Sequence, residues 1–422
     1  MEQRPDAPAY KPTVNIEQAP RMAVPFLYVL SAYGFLVAAA IFVIRESHWL
    51  AFGIWGNPMV ILTVHLLTVG FLSMTAMGVL SQWIPVVFDV DALSLKRATI
   101  VFLGYLLGIL GFVVSLSAQR WSLLAASASL LALVIIVWSG LVIRQLNSSA
   151  KPRDSVYLGI VAAVIGFNLV WIFGVFMALS FLGWWPEFAV LPVHIATALV
   201  GWLGLLVLSI QQKLNPMFSM SRAEGIRLGL PIYPAMAGVL AAWLSLAVGQ
   251  IALRIGAGLW VLAAIISVVQ SIRVIRQGKA KAFDPVFLGV GAAWMLLTAG
   301  AVMAAWLNPL AVLLAFWGLF TLIFSYQSRI FPFIVAVAVA RRLPGPIYKA
   351  FFMAQAMHAK KQPLAVGLLG IVGALFMMVG RIQHQPFWMA MSGGVALLMV
   401  LSQITNLTMA MVQGRKKAPQ RP

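Results

Sequence analysis

The sequence predicts an all-α integral membrane protein of twelve transmembrane helices in three tandem four-helix repeats, and three observations carry that prediction. Hydrophobic residues make up 62% of the 422 and charged residues only 9%, far from the balance of a water-soluble domain. Apolar runs of about 20 residues recur along the whole chain, each long enough to cross a bilayer as a helix. One apolar segment is written three times, at 64–88, 193–218 and 309–333. Self-similarity of that kind has to be read before any other fold decision.

In order, the runs fall at roughly 24–44, 58–82, 98–118, 122–143, 156–181, 190–212, 229–248, 255–272, 286–305, 309–331, 364–380 and 387–412. They are too long for membrane strands and do not alternate. The related segments are the second, sixth and tenth runs, so the unit is four helices, about 23–145, 155–276 and 284–413. Gly70 and Gly201 match at an offset of 131, as do Pro85 and Pro216; Gln211, Lys213 and Pro216 match Gln327, Arg329 and Pro332 at an offset of 116. Val-His opens the first two copies, giving His65 and His194, and Leu310 stands at the corresponding place in the third. All three copies cross the membrane in one direction, unlike inverted-repeat transporters, and four helices per unit differ from the six of major-facilitator transporters.

The ends and connections complete the plan. Residues 1–22 are polar and read as a disordered cytoplasmic tail, followed by an uncleaved signal anchor; 23–413 form one membrane domain and 414–422 a basic cytoplasmic tail. Within the connection 333–363, the stretch 344–361 reads as an amphipathic helix on the inner leaflet, with His358 a solvated surface residue. Pro85, Pro216 and Pro332 read as the residues that close the three related spans, next to polar helix stops at Gln82, Gln211, Gln212 and Gln327.

The net charge of +19 invites a nucleic-acid reading, and the placement of the charges removes it. With twelve spans, 25 of the 29 Lys and Arg fall on one side, leaving Arg45, Arg120, Arg254 and Arg381 on the other. That asymmetry is the positive-inside rule, so both termini are expected in the cytoplasm, with the chain in a bacterial-type cytoplasmic (inner) membrane. The partners expected are the lipid bilayer and a membrane-protein partner or a second copy of the chain, with no nucleic acid.

Few residues could carry chemistry. The absence of cysteine excludes disulfides, thiolate ligands and iron–sulfur clusters. The ten acidic residues fall in loops or the tail, Asp284 among the cytoplasmic loops, which weighs against proton-coupled transport and carboxylate-driven hydrolysis. His65 and His194 are the ionisable side chains well inside the spans. Intramembrane groups of that kind are functional candidates by default. Thr197, Ala198, Gly201 and Gly204 continue the face of His194, and Thr68, Leu72, Thr75 and Ala76 that of His65. Small residues there leave room for a flat macrocycle, or let two helices pack closely. The pair therefore reads either as haem or metal ligands or as interhelical hydrogen-bond donors. His48 and His384, in outer loops, would join them only in a four-imidazole copper or zinc site, and read more simply as solvated. Trp49, Trp55, Trp121, Trp184 and Trp185 fit an outer aromatic belt, and Asn168 reads as helix glue.

Twelve helices in three quartets with histidines on the second and sixth resemble the haem–copper oxidase subunit I superfamily, which includes the nitric oxide reductases. The stretch His-Leu-Leu-Thr-Val-Gly at 65–70 is similar to that family's second helix, whose histidine ligates a low-spin haem; the resemblance gives that role to His65. It gives His194 the role of the sixth-helix histidine that binds copper or non-haem iron. The implied cofactors are haem b and copper or iron. The chain departs from the family where Ile-Ala-Thr-Ala follows His194, where the seventh run has no histidine pair, and where the tenth has no histidine at all. Without these a binuclear centre cannot assemble, so the resemblance implies a role in respiration or nitric oxide physiology without oxidase or reductase turnover. The NnrS-type haem- and copper-containing membrane proteins are a second resemblance, by architecture alone. Two further function classes stay open, a transporter or permease for an anion, metal chelate or haem, and a non-catalytic membrane subunit or assembly factor.

Overall fold

The computed structural model describes residues 15–184, 190–279, 283–343, 349–357, 359 and 361–417, and among them the chain is helical without a strand. The helices are α1 (Ala23–Arg45), α2 (Ser47–Phe52), α3 (Pro58–Phe88), α4 (Leu95–Ser117), α5 (Trp121–Asn147), α6 (Ser155–Ser180), α7 (Leu191–Ser219), α8 (Ile232–Val248), α9 (Gln250–Arg276), α10 (Val286–Ala305), α11 (Leu310–Ala340), α12 (Lys349–Met357), α13 (Gln362–Ile382) and α14 (Pro386–Lys417). Eleven are long and apolar enough to cross a membrane, and α8 is apolar but only 17 residues long. This is an all-α, multi-pass membrane protein whose outer surface meets lipid.

Packing follows the order of the chain. α1 packs on α3, α6 on α7 and α10 on α11, while α4 and α5, α8 and α9, and α13 and α14 form hairpins. The hairpins join neighbouring groups, because α5 packs on α6, α9 on α10 and α14 back on α1, which closes a ring. Inside it stand the three related helices, whose most apolar stretches are 67% (α3), 56% (α7) and 78% (α11) buried, against 28–50% for the other spans. Leu107, Leu133, Ile251 and Leu368 lie exposed on the outer helices, where acyl chains cover them.

The inner helices are tied to one another pairwise. Trp202 on α7 donates its indole N–H to Ser73 Oγ on α3 at 3.1 Å. Phe71 on α3 packs edge-on against Phe320 and Phe324 of α11, with ring centres 5.5 and 5.6 Å apart. Tyr326 on α11 donates to Asn215 Oδ1 on α7 at 2.8 Å. Asn168 donates from α6 to Ser139 Oγ on α5 at 2.8 Å, as helix glue should.

Several expectations change in detail. The three prolines do not close their spans, since α3 runs on past Pro85 to Phe88, α7 past Pro216 to Ser219, and α11 past Pro332 to Ala340. A proline inside a helix removes one hydrogen bond to the carbonyl four residues earlier. In α11 that carbonyl belongs to Ser328, to which Asn406 of α14 donates at 3.4 Å. Asp284 does lie in a connection, just before α10, and there it pairs with Arg329 of α11 at 2.9 Å with both side chains largely buried. Residues 15–22 of the expected tail are held against the bundle, where Arg341 donates to the carbonyls of Glu17 and Ala19 at 2.9 and 2.6 Å. The expected amphipathic helix is α12, docked on α11 and α14 with Ala350, Ala354 and Met357 buried in protein. Residues 1–14, 344–348, His358 and 418–422 lie outside the described residues, as does Trp185 of the aromatic belt. Within that belt Trp49 and Trp184 are exposed, Trp121 stacks on Phe181, and Trp55 turns inward to line a cavity.

Candidate functional site

The site begins with a helix start. Asn57 accepts from the Met59 N–H at 2.8 Å and Pro58 fills the first helical position, so α3 opens with a cap and a residue that needs no partner. Two turns on comes His65, and from Leu66 to Ser73 the helix widens into a π turn. α7 does the same from Thr197 to Gly204. Both π segments are eight residues long and lie 131 positions apart. So do the left-handed residues that end the two helices, Asp89 and Met220, with φ of 56° and 54°. α11 has no such widening.

This register moves the histidines. They are separated by 129 residues rather than 131, so His65 and His194 are not equivalent positions of the repeat. The π turn also changes which residues share their faces, because its i→i+5 bonding adds nearly a residue to each turn. On α3 the cavity wall carries His65, Thr68, Val69 and Ser73, while Leu72, Thr75 and Ala76 are buried in packing. On α7 it carries His194, Ala198, Trp202 and Gly204. Thr197 instead accepts from the Trp243 indole at 2.8 Å, and Gly201 meets Gly166 of α6 so closely that a Cβ at 166 would stand 2.3 Å from the Gly201 carbonyl oxygen. The small residues thus do both things expected of them, some lining space and others bringing helices together.

The two imidazoles face one cavity, with ring centres 6.4 Å apart and planes inclined by 32°. His65 Nδ1 lies 2.7 Å from the Ile61 carbonyl oxygen in its own helix, and His194 Nδ1 lies 3.1 Å from that of Val170 on α6. A carbonyl only accepts, so each Nδ1 carries the proton and each Nε2 keeps a lone pair. That is the tautomer a metal needs, with the backbone carbonyl as the orienting partner. Phe112 packs against the His65 ring at 5.0 Å, and Gly174 leaves room beside His194.

The cavity holds about 1000 Å³ and is bounded by α3, α7 and the first half of α11, with contributions from the surrounding helices. Gly300, Ala301, Ala304, Gly393 and Ala396 keep its walls back from the centre. Among the described residues its lining contains no Asp, Glu, Lys or Arg. With the protons on Nδ1 and the rings 6.4 Å apart on one cavity, His65 and His194 are the residues that would hold a haem iron or a single metal ion.

His48 and His384 do not join the pair. They flank Phe52, at 4.8 and 5.4 Å between ring centres, and His384 Nδ1 donates to the Ala51 carbonyl at 3.1 Å. Among the described residues no three of His, Cys, Asp and Glu gather as metal ligands, so the four-imidazole arrangement is not formed. Leu310 is not part of the cavity lining, whereas its neighbours Pro309, Ala311 and Val312 are. Sequence reasoning missed the indoles Trp171, Trp202, Trp260 and Trp294, which the fold gathers onto the cavity wall from four helices. No spacing in the chain announces them.

Of the polar residues expected to stop the related spans, three bond to neighbouring helices but stop nothing, since their helices run on to Ser219 and Ala340, while Gln82 Oε1 is buried without a partner among the described residues. Gln211 bonds to Ser267 of α9, Gln212 accepts from Ser155 at 2.8 Å, and Gln327 accepts from Tyr33 at 2.9 Å. Comparison with the models of known families finds no match for this chain, and comparison with curated proteins finds none either.

Proposed function

We propose that this protein is a divergent relative of the haem–copper oxidase subunit I superfamily that holds a haem, or a single copper or iron ion, between His65 and His194. The observation that carries the reading is the imidazole pair itself, 6.4 Å apart on one apolar cavity with each Nδ1 bonded to a carbonyl. In this reading α8 completes twelve spans, the ring of helix contacts is the trace of three four-helix repeats, and both termini lie in the cytoplasm. The basic side of the chain supports that orientation, with the histidine end of the bundle then facing outward. His65 and His194 would hold the haem, and a haem so held would supply electron transfer or sensing rather than activation of oxygen. The residues around it exclude water and fix the rings. A role in respiration or nitric oxide physiology in a bacterial-type inner membrane follows from the resemblance, without a complete binuclear centre.

The test is the visible spectrum and metal content of the purified wild-type protein. A Soret band, or copper or iron near one per chain, is expected, and should be lost in H65A and H194A variants that still fold. A folded wild-type protein with neither haem nor metal, after supply of both during expression, overturns the reading.

A second reading draws on the cavity alone. A space of about 1000 Å³ bounded by α3, α7 and α11 is also what a permease would need. Substrate-dependent uptake into vesicles that survives the H65A/H194A double substitution would favour it.

A further inference from the structure

We propose that the end of the bundle opposite the histidines carries a binding site for the phosphate headgroup of an anionic phospholipid, formed by Arg342, Lys361, Arg415 and Lys416. Three chain segments meet there. A Cβ on Gly414 of α14 would stand 3.3 Å from Val339 Cγ2 of α11 and 3.9 Å from Met357 Cε of α12. Each segment then supplies cations: Arg342 three residues past Val339, Lys361 four past Met357, and Arg415 and Lys416 directly after Gly414. All four are exposed, and none forms an ion pair among the described residues. Arg341 is not counted with them, because the carbonyls of Glu17 and Ala19 hold it.

The charge of this end is unbalanced in a way the rest of the molecule is not. Residues 285–422 hold eleven Lys and Arg and no Asp or Glu, so all ten acidic residues lie in 1–284. Asp284, the last of them, is committed to Arg329. At the same end of the second repeat carboxylates answer the cations, as in Lys213–Asp154 at 3.4 Å and Arg222–Glu224 at 3.8 Å. Orientation in the membrane needs positive charge at this end but does not need it free of carboxylates. Unpaired cations set together repel one another, so their company points to an anion that is not part of the chain. The surface beside them says which. Met409, Met411 and Val412 lie exposed on α14 about one turn before Arg415, and Leu364 and Leu368 lie exposed on α13 after Lys361. Apolar surface that runs into a cationic edge matches an amphiphile, with acyl chains on the first and phosphate on the second. A water-soluble acidic peptide would leave those apolar side chains uncovered. The proposal uses neither imidazole, so it stands apart from the cofactor reading.

The experiment is native mass spectrometry of the full-length protein titrated with phosphatidylglycerol, beside phosphatidylcholine of the same acyl chains. Near one phosphatidylglycerol per chain is expected, bound about tenfold tighter than phosphatidylcholine. R415Q/K416Q should weaken it about thirtyfold and R342Q about fivefold. R273Q/R276Q, which removes two exposed cations from the end of α9, should leave it unchanged. Equal affinity for the two lipids would overturn the proposal. So would equal loss in the two double variants, which would show only the diffuse attraction of a basic surface. Displacement of the lipid by an equal concentration of inorganic phosphate would mark a free-anion site instead, and a glutamate decapeptide that binds through Arg415 while the lipid does not would mark a protein partner; either result refutes the assignment. Should R415Q/K416Q fail to fold, R342Q and K361Q carry the same test.

Discussion

The first two copies of the related helix and the third make different uses of one sequence pattern. α3 and α7 each carry a histidine, a π turn and a left-handed residue at the end, and both leave space beside the imidazole. α11 is a 31-residue α-helix with none of these. It is also the most buried of the three, gripped by Gln403 and Asn406 of α14, whose amides donate to the carbonyls of Phe324 and Ser328. In the proposed reading, two walls of the cavity hold chemistry and the third holds position. A π turn is an extra residue accommodated in a helix, and such turns recur at functional sites because they redirect the side chains that follow.

That contrast can be broken directly. Deleting one residue within 66–73 should let α3 revert to a regular helix, leaving a folded protein whose haem or metal signal is gone. Deleting one residue within 313–320 should abolish folding, because α11 has no surplus residue and every contact beyond the deletion would rotate by about 100°. Detergent-resistant monodispersity and the visible spectrum, measured on both variants, decide the matter; equal loss of folding in the two would end the distinction.

A smaller effect sharpens the structural role of α11. Asp284→Asn leaves the Arg329 guanidinium buried without its carboxylate, at a cost of about 3 kcal/mol. Thermal unfolding in detergent should show the loss, with the spectrum of the folded fraction unchanged. The smallest pair compares the ties themselves. Trp202→Phe and Tyr326→Phe each remove one interhelical hydrogen bond, worth about 1 kcal/mol. Only the first bond joins the two π segments, so only Trp202→Phe should shift the cofactor spectrum.

The membrane fold was readable because crossing a bilayer imposes a length and a composition that a sequence displays openly. The three related helices were readable through Gly70, Gly201 and the prolines. The widening of two of them was not, since a π turn has no composition of its own. The histidines lie 129 apart while the glycines and prolines lie 131 apart, which shows only that the two imidazoles are not equivalent positions of the repeat. The prolines misled because Pro85 and Pro216 lie inside the last turn of their helices and Pro332 eight residues before the end of its own. Gln403 and Asn406 were hidden inside an apolar run, although three-residue spacing on one helix face was there to be seen. Asp284 is the loop residue the sequence predicts, but its burial against Arg329 was hidden because the two are distant in sequence. Of the cavity, the two imidazoles were visible as isolated ionisable residues in a hydrophobic chain. The indoles were not, because four tryptophans on four helices converge only once the helices are arranged.

The ring of contacts has a consequence for how the chain could be rearranged. α14 lies against α1, so the first and last described helices are neighbours, and each of the three hairpins abuts the helix that follows it around the ring in the same manner. A polypeptide joined from 417 to 23 by a short linker and opened instead at 148–154 would thread the same circuit from a new origin. Covalent order would then matter to synthesis and insertion, while the finished bundle would be indifferent to where its chain starts.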